Sequence, residues 1–343
     1  MVLQRLLNQQ LLSPLYGTPA QVVAHMGAMQ AQEYRMMRWA VAMRTQKPSA
    51  QAFADDYNSG RIVRLHLMRG TWQLVSGADY WWMLGLFSDR SKKVINGWMR
   101  SSKITIDTEE YCRIRDILID TAQCQRSVAK EDFVQALAVR DIVMDDHRLS
   151  YHIRMAELDG ILCSGDLQPM KMTYSLASIK MGHPTDIDHE TSLHEIARRY
   201  FQSHSPATLE DFVWWTGLST TDCKRGIASL GKDIHIVHHN GQQFYILEGC
   251  RSEGQLQGST ILLPSYDEYL IGYKSRDLVL APQHSHHAHT QNGIFFPIIL
   301  RNGMAVGNWK PYEQQLAATL FHNRLAATTL QQQWEKYQQY LSN

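Results

Sequence analysis

The sequence predicts an α+β chain of tandem winged-helix (helix-turn-helix) units followed by a C-terminal β-rich domain. Three observations carry this. Between residues 192 and 247 the apolar period changes from helical to alternating. The same order of elements can be read twice upstream, and beyond about residue 258 short apolar runs separated by turn residues replace the helical pattern.

In chain order, Thr18-Pro19 opens a helix with Ala20, Val22, Val23 and Met26 on its apolar face, and Gly27 is its stop. A short non-helical bridge leads to a helix expected over residues 34–43. A helix through 51–58 and paired strands at 62–65 and 71–75, turning at Arg69-Gly70, complete a first unit, residues 1–104. The second unit, 105–182, reads as helices over 111–123, 130–137 and 147–158, then a hairpin of 161–164 with 171–174 about Gly165-Asp166.

The third unit, 183–250, is the clearest. Leu193, Ile196, Ala197 and Tyr200 have helical spacing, and Thr208 starts a helix that ends at Trp215. Gly217-Leu218-Ser219 makes the turn, Ser219 capping a helix over 221–229. Strands 234–238 and 243–247 meet at Asn240-Gly241, a hairpin signature. The last domain, 251–343, offers strands at 260–264, 293–300 and 305–309, a turn at Arg301-Asn302-Gly303, and a glutamine-rich helix from Thr328, which suggests a small barrel or sheet. The repeat rests on element order, not residue identity.

With 343 residues, 44% hydrophobic and 20% charged, the chain has the composition of a soluble globular protein of two or three domains by length alone. Five scattered cysteines, odd in number and without a C-x-x-C pair, indicate neither a disulfide framework nor a cysteine zinc site, so a reducing cytoplasm fits. Arg5, Asn8, Gln9 and Gln10 interrupt what a signal peptide would need to be apolar, and no run is long enough for a membrane span. A net charge of +1 neither demands nor excludes nucleic acid, because phosphate affinity follows local basic clusters. Arg90, Lys92, Lys93, Arg100 and Lys103 form one such cluster and Arg198-Arg199 another; each reads as a solvated face or as a phosphate contact.

Gln30 and Gln32, in M-G-A-M-Q-A-Q-E-Y, are the candidate reactive pair. Two residues apart, they diverge by about 200° on a helix but share one side of an extended segment, so acting on one target requires extended backbone. The bridge between the two N-terminal helices supplies it, with Glu33 near the positive end of the second helix. By spacing alone, the two read first as solvated linker residues, since glutamine is mostly exposed and carries no titrating group.

Several motifs together resemble those of the winged-helix DNA glycosylases similar to AlkZ. They are Q-A-Q at 30–32, G-R-I-V-R at 60–64, M-R-G-T-W at 68–72 and D-G-I-L-C at 159–163. R-R-Y-F at 198–201, P-A-T-L-E-D-F-V-W-W-T-G-L at 206–218 and L-L-P-S-Y-D-E-Y-L-I-G-Y at 262–273 follow in order. The resemblance spans nearly the whole chain. It implies winged helices and a β domain encircling DNA, with Gln30 and Gln32 matching the catalytic Q-x-Q. A related branch carries aspartate at the second position, so Gln32 places the chain on the Q-x-Q side, associated with excision of alkylated purines and unhooking of interstrand crosslinks.

A glutamine amide is no general base near neutral pH, so catalysis would rest on orientation and electrostatics, with a purine alkylated on a ring nitrogen bringing its own positive charge. No lysine is placed by motif to form a Schiff base, which predicts a monofunctional enzyme. The expected partner is double-stranded DNA containing alkylated bases, bound by a monomer without cofactor, metal or membrane. The rival expectation is a non-catalytic winged-helix DNA-binding regulator.

Further expected DNA contacts are His66 and Arg69 at the first hairpin, Lys92 and Lys93, and Thr221, Lys224 and Arg225 on a helix that enters a groove or packs against its neighbours. Trp72, Trp81, Trp82, Trp214 and Trp215 read as packing. His284, His286, His287 and His289 crowd one loop but match no zinc spacing, leaving a polar loop that touches DNA or does nothing. Asp267 and Glu268, taken as neighbours on a strand, would face opposite ways, which argues against an acid/base dyad; one of them reads as a structural partner of an Arg or Lys, with help to the active site as the second reading.

Overall fold

The computed structural model describes residues 1–185, 187–322 and 325–342. It is a mixed α and β protein whose chain forms two compact units, Met1–Phe53 with Leu193–Asn343, and Ala54–Ser192.

In the first unit, helix Pro19–Met26 is fixed at its start by a reciprocal capping box, Thr18 accepting from the Gln21 N–H and the Gln21 side chain accepting from the Thr18 N–H. It stops at Gly27, whose φ of 76° lies in the region that favours glycine. Strand Ala28–Gln30 follows at once. The next helix is Met36–Ala42, not 34–43, because Glu33 Oε2 accepts the Met36 N–H at 2.6 Å and the turn before it occupies residues 34 and 35.

Helices His189–His204, Leu209–Thr216 and Thr220–Ser229 then precede the antiparallel strands Ile234–His239 and Gln242–Leu247. Thr208 and Ser219 cap the second and third helices as their sequences predict. Asn240 and Gly241, both at positive φ, make the tight turn. Tyr200, Phe201, Phe212 and Trp215 fill the core between the helices.

The C-terminal β segments form one four-stranded antiparallel sheet, Thr260–Leu263, Ile298–Arg301, Met304–Tyr312 and Gln315–Leu320, each strand beside the next in sequence. The expected strand over 293–300 is confined to Ile298–Arg301, since Pro297 has no N–H for the ladder. Gln315–Leu320 carried no apolar alternation strong enough to announce it. Helix Ala327–Ser342 lays Trp334, Tyr337 and Tyr340 against Trp309 and Trp39.

In the second unit, strands Ile62–His66 and Trp72–Ser76 pair antiparallel, His66 opposite Trp72, across the short turn Met68–Gly70. Residues Tyr80–Ser101 form a single 22-residue helix, where Gly85 and Gly97 blur the pattern and only Trp81 and Trp82 pointed to a helix face. Helices Thr108–Gln123, Lys130–Ala138 and Asp146–Leu158 follow, the first and last capped by Asp107 and Asp145. The following hairpin pairs Leu162–Ser164 with Thr173–Leu176, two residues beyond the expected 171–174. Bonds from Gly165 N–H to Thr173 O and from Thr173 Oγ1 to Asp166 O close the intervening loop, and Val128–Ala129 adds a third strand. Among the described residues no helix is long and apolar enough to cross a membrane.

Candidate active site

Gln30 ends its strand as a buried residue, 5% exposed. Its backbone N–H donates to Glu268 Oε1 at 2.6 Å, and its side-chain Oε1 accepts the Ala31 N–H at 3.0 Å. Gln32 lies one residue past the extended stretch, in a bend, and is exposed. The expectation of two amides on one side of an extended segment therefore holds only up to Gln30. The chain turns after Ala31 toward the helix whose first N–H Glu33 takes up, and the two amides enter different surroundings.

Glu268 is 2% exposed. Its Oε2 accepts the Trp215 indole N–H at 3.0 Å and stands 3.4 Å from His204 Nε2. His204 stacks on Tyr200 and meets Ser203 Oγ through Nδ1 at 2.8 Å. Burial holds this imidazole below the usual histidine range, against the opposing pull of the Glu268 hydrogen bond, so the neutral tautomer with a proton on Nε2 is the one that suits the carboxylate.

Asp267 and Glu268 do not lie on a strand. Asp267 caps the short helix Glu268–Ile271 through the Tyr269 N–H at 3.0 Å. Its carboxylate also takes both forks of Arg44, each at 2.8 Å, and Arg44 is completely buried. Arg44 further donates to Ala40 O and to Gln9 O and Oε1. The expected arginine partner of this pair thus belongs to Asp267, while Glu268 receives N–H groups from the Gln30 strand and from Trp215. Next to them Tyr266 has a φ of 57°, a strained conformation for a bulky side chain.

The other expected contacts are spread over both units. In the second unit His66 is inside the fold, 3% exposed, bonded through Nδ1 to Glu157 Oε2 and packed on Trp72. There it serves packing and faces no surface, a correction to its expected place. Arg69 is half-buried at φ 57° in the turn, Lys92 pairs with Asp159 at 2.5 Å, and Lys93 is exposed. In the first unit Thr221, Lys224 and Arg225 are exposed on helix Thr220–Ser229, Arg225 pairing with Asp222 at 3.3 Å.

Of the tryptophans, Trp214 is partly exposed, its indole donating to Ile271 O at 2.9 Å, while Trp215 is buried. Among the histidines, His284 packs on Phe321 and lies near His287 and His322. Among the described residues no group of three His, Cys, Asp or Glu is arranged to hold a metal ion. His204 and Arg44 carried no signal in the sequence.

A protein-family model described as DNA glycosylase AlkZ-like matches residues 23–338. A relative from Streptomyces sahachiroi named interstrand DNA cross-link repair glycosylase is 24% identical over 336 residues, covering 92% of this chain and 88% of that protein. The solved Streptomyces sahachiroi DNA glycosylase AlkZ has the same fold, with a TM-score of 0.75 at 21% identity, over 97% of this chain and 93% of that one. The family model takes in most of the chain, which belongs to the AlkZ-like DNA glycosylase family and is a DNA glycosylase.

Proposed function

We propose that this glycosylase is monofunctional and excises cationic, ring-nitrogen-alkylated purines from duplex DNA, with interstrand crosslinks joined through such positions as further substrates. The reading draws on the cross-link repair named for its Streptomyces relative. It also takes the helix-and-hairpin units at 1–104, 105–182 and 183–250 as winged helices, with 251–343 as the β-rich domain, and the exposed Lys93, Thr221, Lys224 and Arg225 as backbone contacts made by a monomer.

The observation that carries it is the setting of the two amides. Gln30 has its backbone and its side-chain oxygen fixed by hydrogen bonds, while Gln32 is exposed two residues on. Gln30 then presents a pre-set dipole to the sugar as it becomes an oxocarbenium ion, and Gln32 holds the attacking water. The N-glycosidic bond breaks with its electron pair going to the base, which cancels the positive charge of the alkylated ring. Water adds to C1′ and releases a proton to solvent. Neither amide takes a proton, so the lesion supplies the driving force, and one well-aimed dipole contributes roughly 3 to 4 kcal/mol. That suffices for a leaving group already cationic.

The test is a duplex bearing one N7-methylguanine. Incubation should leave an abasic site that breaks on heating with alkali and not without it, and a uracil-containing duplex should stay intact. An uncleaved lesion would overturn the assignment of cationic alkylated purines as its substrates.

A further inference from the structure

We propose that Glu268 is a positioning residue for excision, its carboxylate setting Gln30 through the Gln30 backbone N–H while Trp215 and His204 hold the carboxylate in place. The inference rests on the reading that Gln30 acts on the substrate.

A carboxylate at 2% exposure is expensive to bury unless donors converge on it. Glu268 has such donors, and they divide between its two oxygens. Oε1 takes the Gln30 N–H at 2.6 Å; Oε2 takes the Trp215 indole N–H at 3.0 Å, with His204 Nε2 at 3.4 Å. The guanidinium beside it does not compete, because Arg44 is engaged by Asp267 through two 2.8 Å bonds. The helical turn Glu268–Ile271 is itself pinned by the Asp267 cap. The carboxylate is therefore fixed at its own end, and through the Gln30 N–H it fixes the last residue of the strand Ala28–Gln30. The side-chain amide of Gln30 inherits that placement. An amide in place of this carboxylate would keep the shape and turn one acceptor into a donor facing an N–H.

The experiment is single-turnover excision of N7-methylguanine by the wild type, Glu268→Gln, Gln30→Ala and the double variant, with Kd for the same duplex measured separately. Glu268→Gln should slow the step at saturating protein by about 10- to 100-fold with Kd unchanged. The double variant should be no slower than Gln30→Ala alone, because the carboxylate works through that residue. A wild-type rate for Glu268→Gln, a loss confined to Kd, or losses that multiply in the double variant overturns the proposal. A wild-type rate for Gln30→Ala removes the functional reading itself, whatever Glu268→Gln does. Should Glu268→Gln fail to fold, Glu268→Asp, which keeps the charge and draws it back by one methylene, goes through the same cycle, where a loss absorbed by Gln30→Ala supports the proposal and no loss or a multiplying loss overturns it.

Discussion

Gln30 donates its backbone N–H to the Glu268 carboxylate at 2.6 Å, across 238 residues of sequence. One residue earlier in the same turn, Asp267 holds Arg44, which lies 223 residues away and belongs to the N-terminal segment that carries Gln30. Two adjacent carboxylates thus tie the N-terminal helices to the C-terminal half of the first unit, one by an ion pair and one by backbone. The candidate site is a product of this long-range tie and not of the Q-A-Q segment alone.

Gly27 sets the direction in which that segment leaves its helix. At φ 76°, a Cβ on this residue would also lie 2.9 Å from the Arg199 Cβ. Gly27→Ala should cost about 1 to 3 kcal/mol by thermal or urea unfolding, and it should slow excision by displacing the strand that ends at Gln30. Unchanged stability would show that the turn accommodates a side chain.

Asp267→Asn keeps an N-cap for helix Glu268–Ile271, since asparagine caps as well as aspartate, but leaves the Arg44 charge buried without its partner. The expected loss is about 3 to 5 kcal/mol in urea unfolding. A midpoint equal to that of the wild type would mean that Arg44 finds another acceptor.

In the second unit, burial pushes the Glu157 carboxyl up to about 8 against the opposing pull of Arg64 and Arg154. Burial, then Arg154 and Arg64, drives its partner His66 well below 6.5. The folded protein retains a Glu157 proton that the unfolded chain releases above 4.5, so this group's stabilisation is full below 4.5 and is lost as pH rises through about 8. His66 acts in the opposite sense, costing stability only as pH falls below 6.5. Of this pair, Glu157 alone contributes a slope between pH 6.5 and about 8. The Tm should fall across that window and Glu157→Gln should flatten the fall; equal slopes in both proteins would place the proton elsewhere.

Where structure is decided within a few residues, the sequence is a good guide. Thr18 and Gly27 bound one helix, Thr208 and Ser219 start two others, and Asn240-Gly241 turns the hairpin, each through a bond or a φ value of its own neighbourhood. The second arm of the 162–176 hairpin and the length of helix Tyr80–Ser101 were misread or unmarked, because strand pairing and packing settle them and not local preference. At the site, Gln30 and Gln32 were legible from motif, but their differing exposure was not, since the bend after Ala31 depends on Glu33. His66 looked like a hairpin-tip residue. The carboxylate that draws it inward lies 91 residues away and leaves no periodic trace.

The central claim, that two neutral amides drive excision of a base already made a good leaving group, is tested most directly by single-turnover release of N7-methylguanine from duplex DNA by Gln30→Ala and Gln32→Ala, each checked for native Tm. Each variant should lose about two to three decades in rate, and the wild-type rate should show no titration between pH 6 and 9 that either substitution removes. Wild-type rates in both folded variants would contradict it.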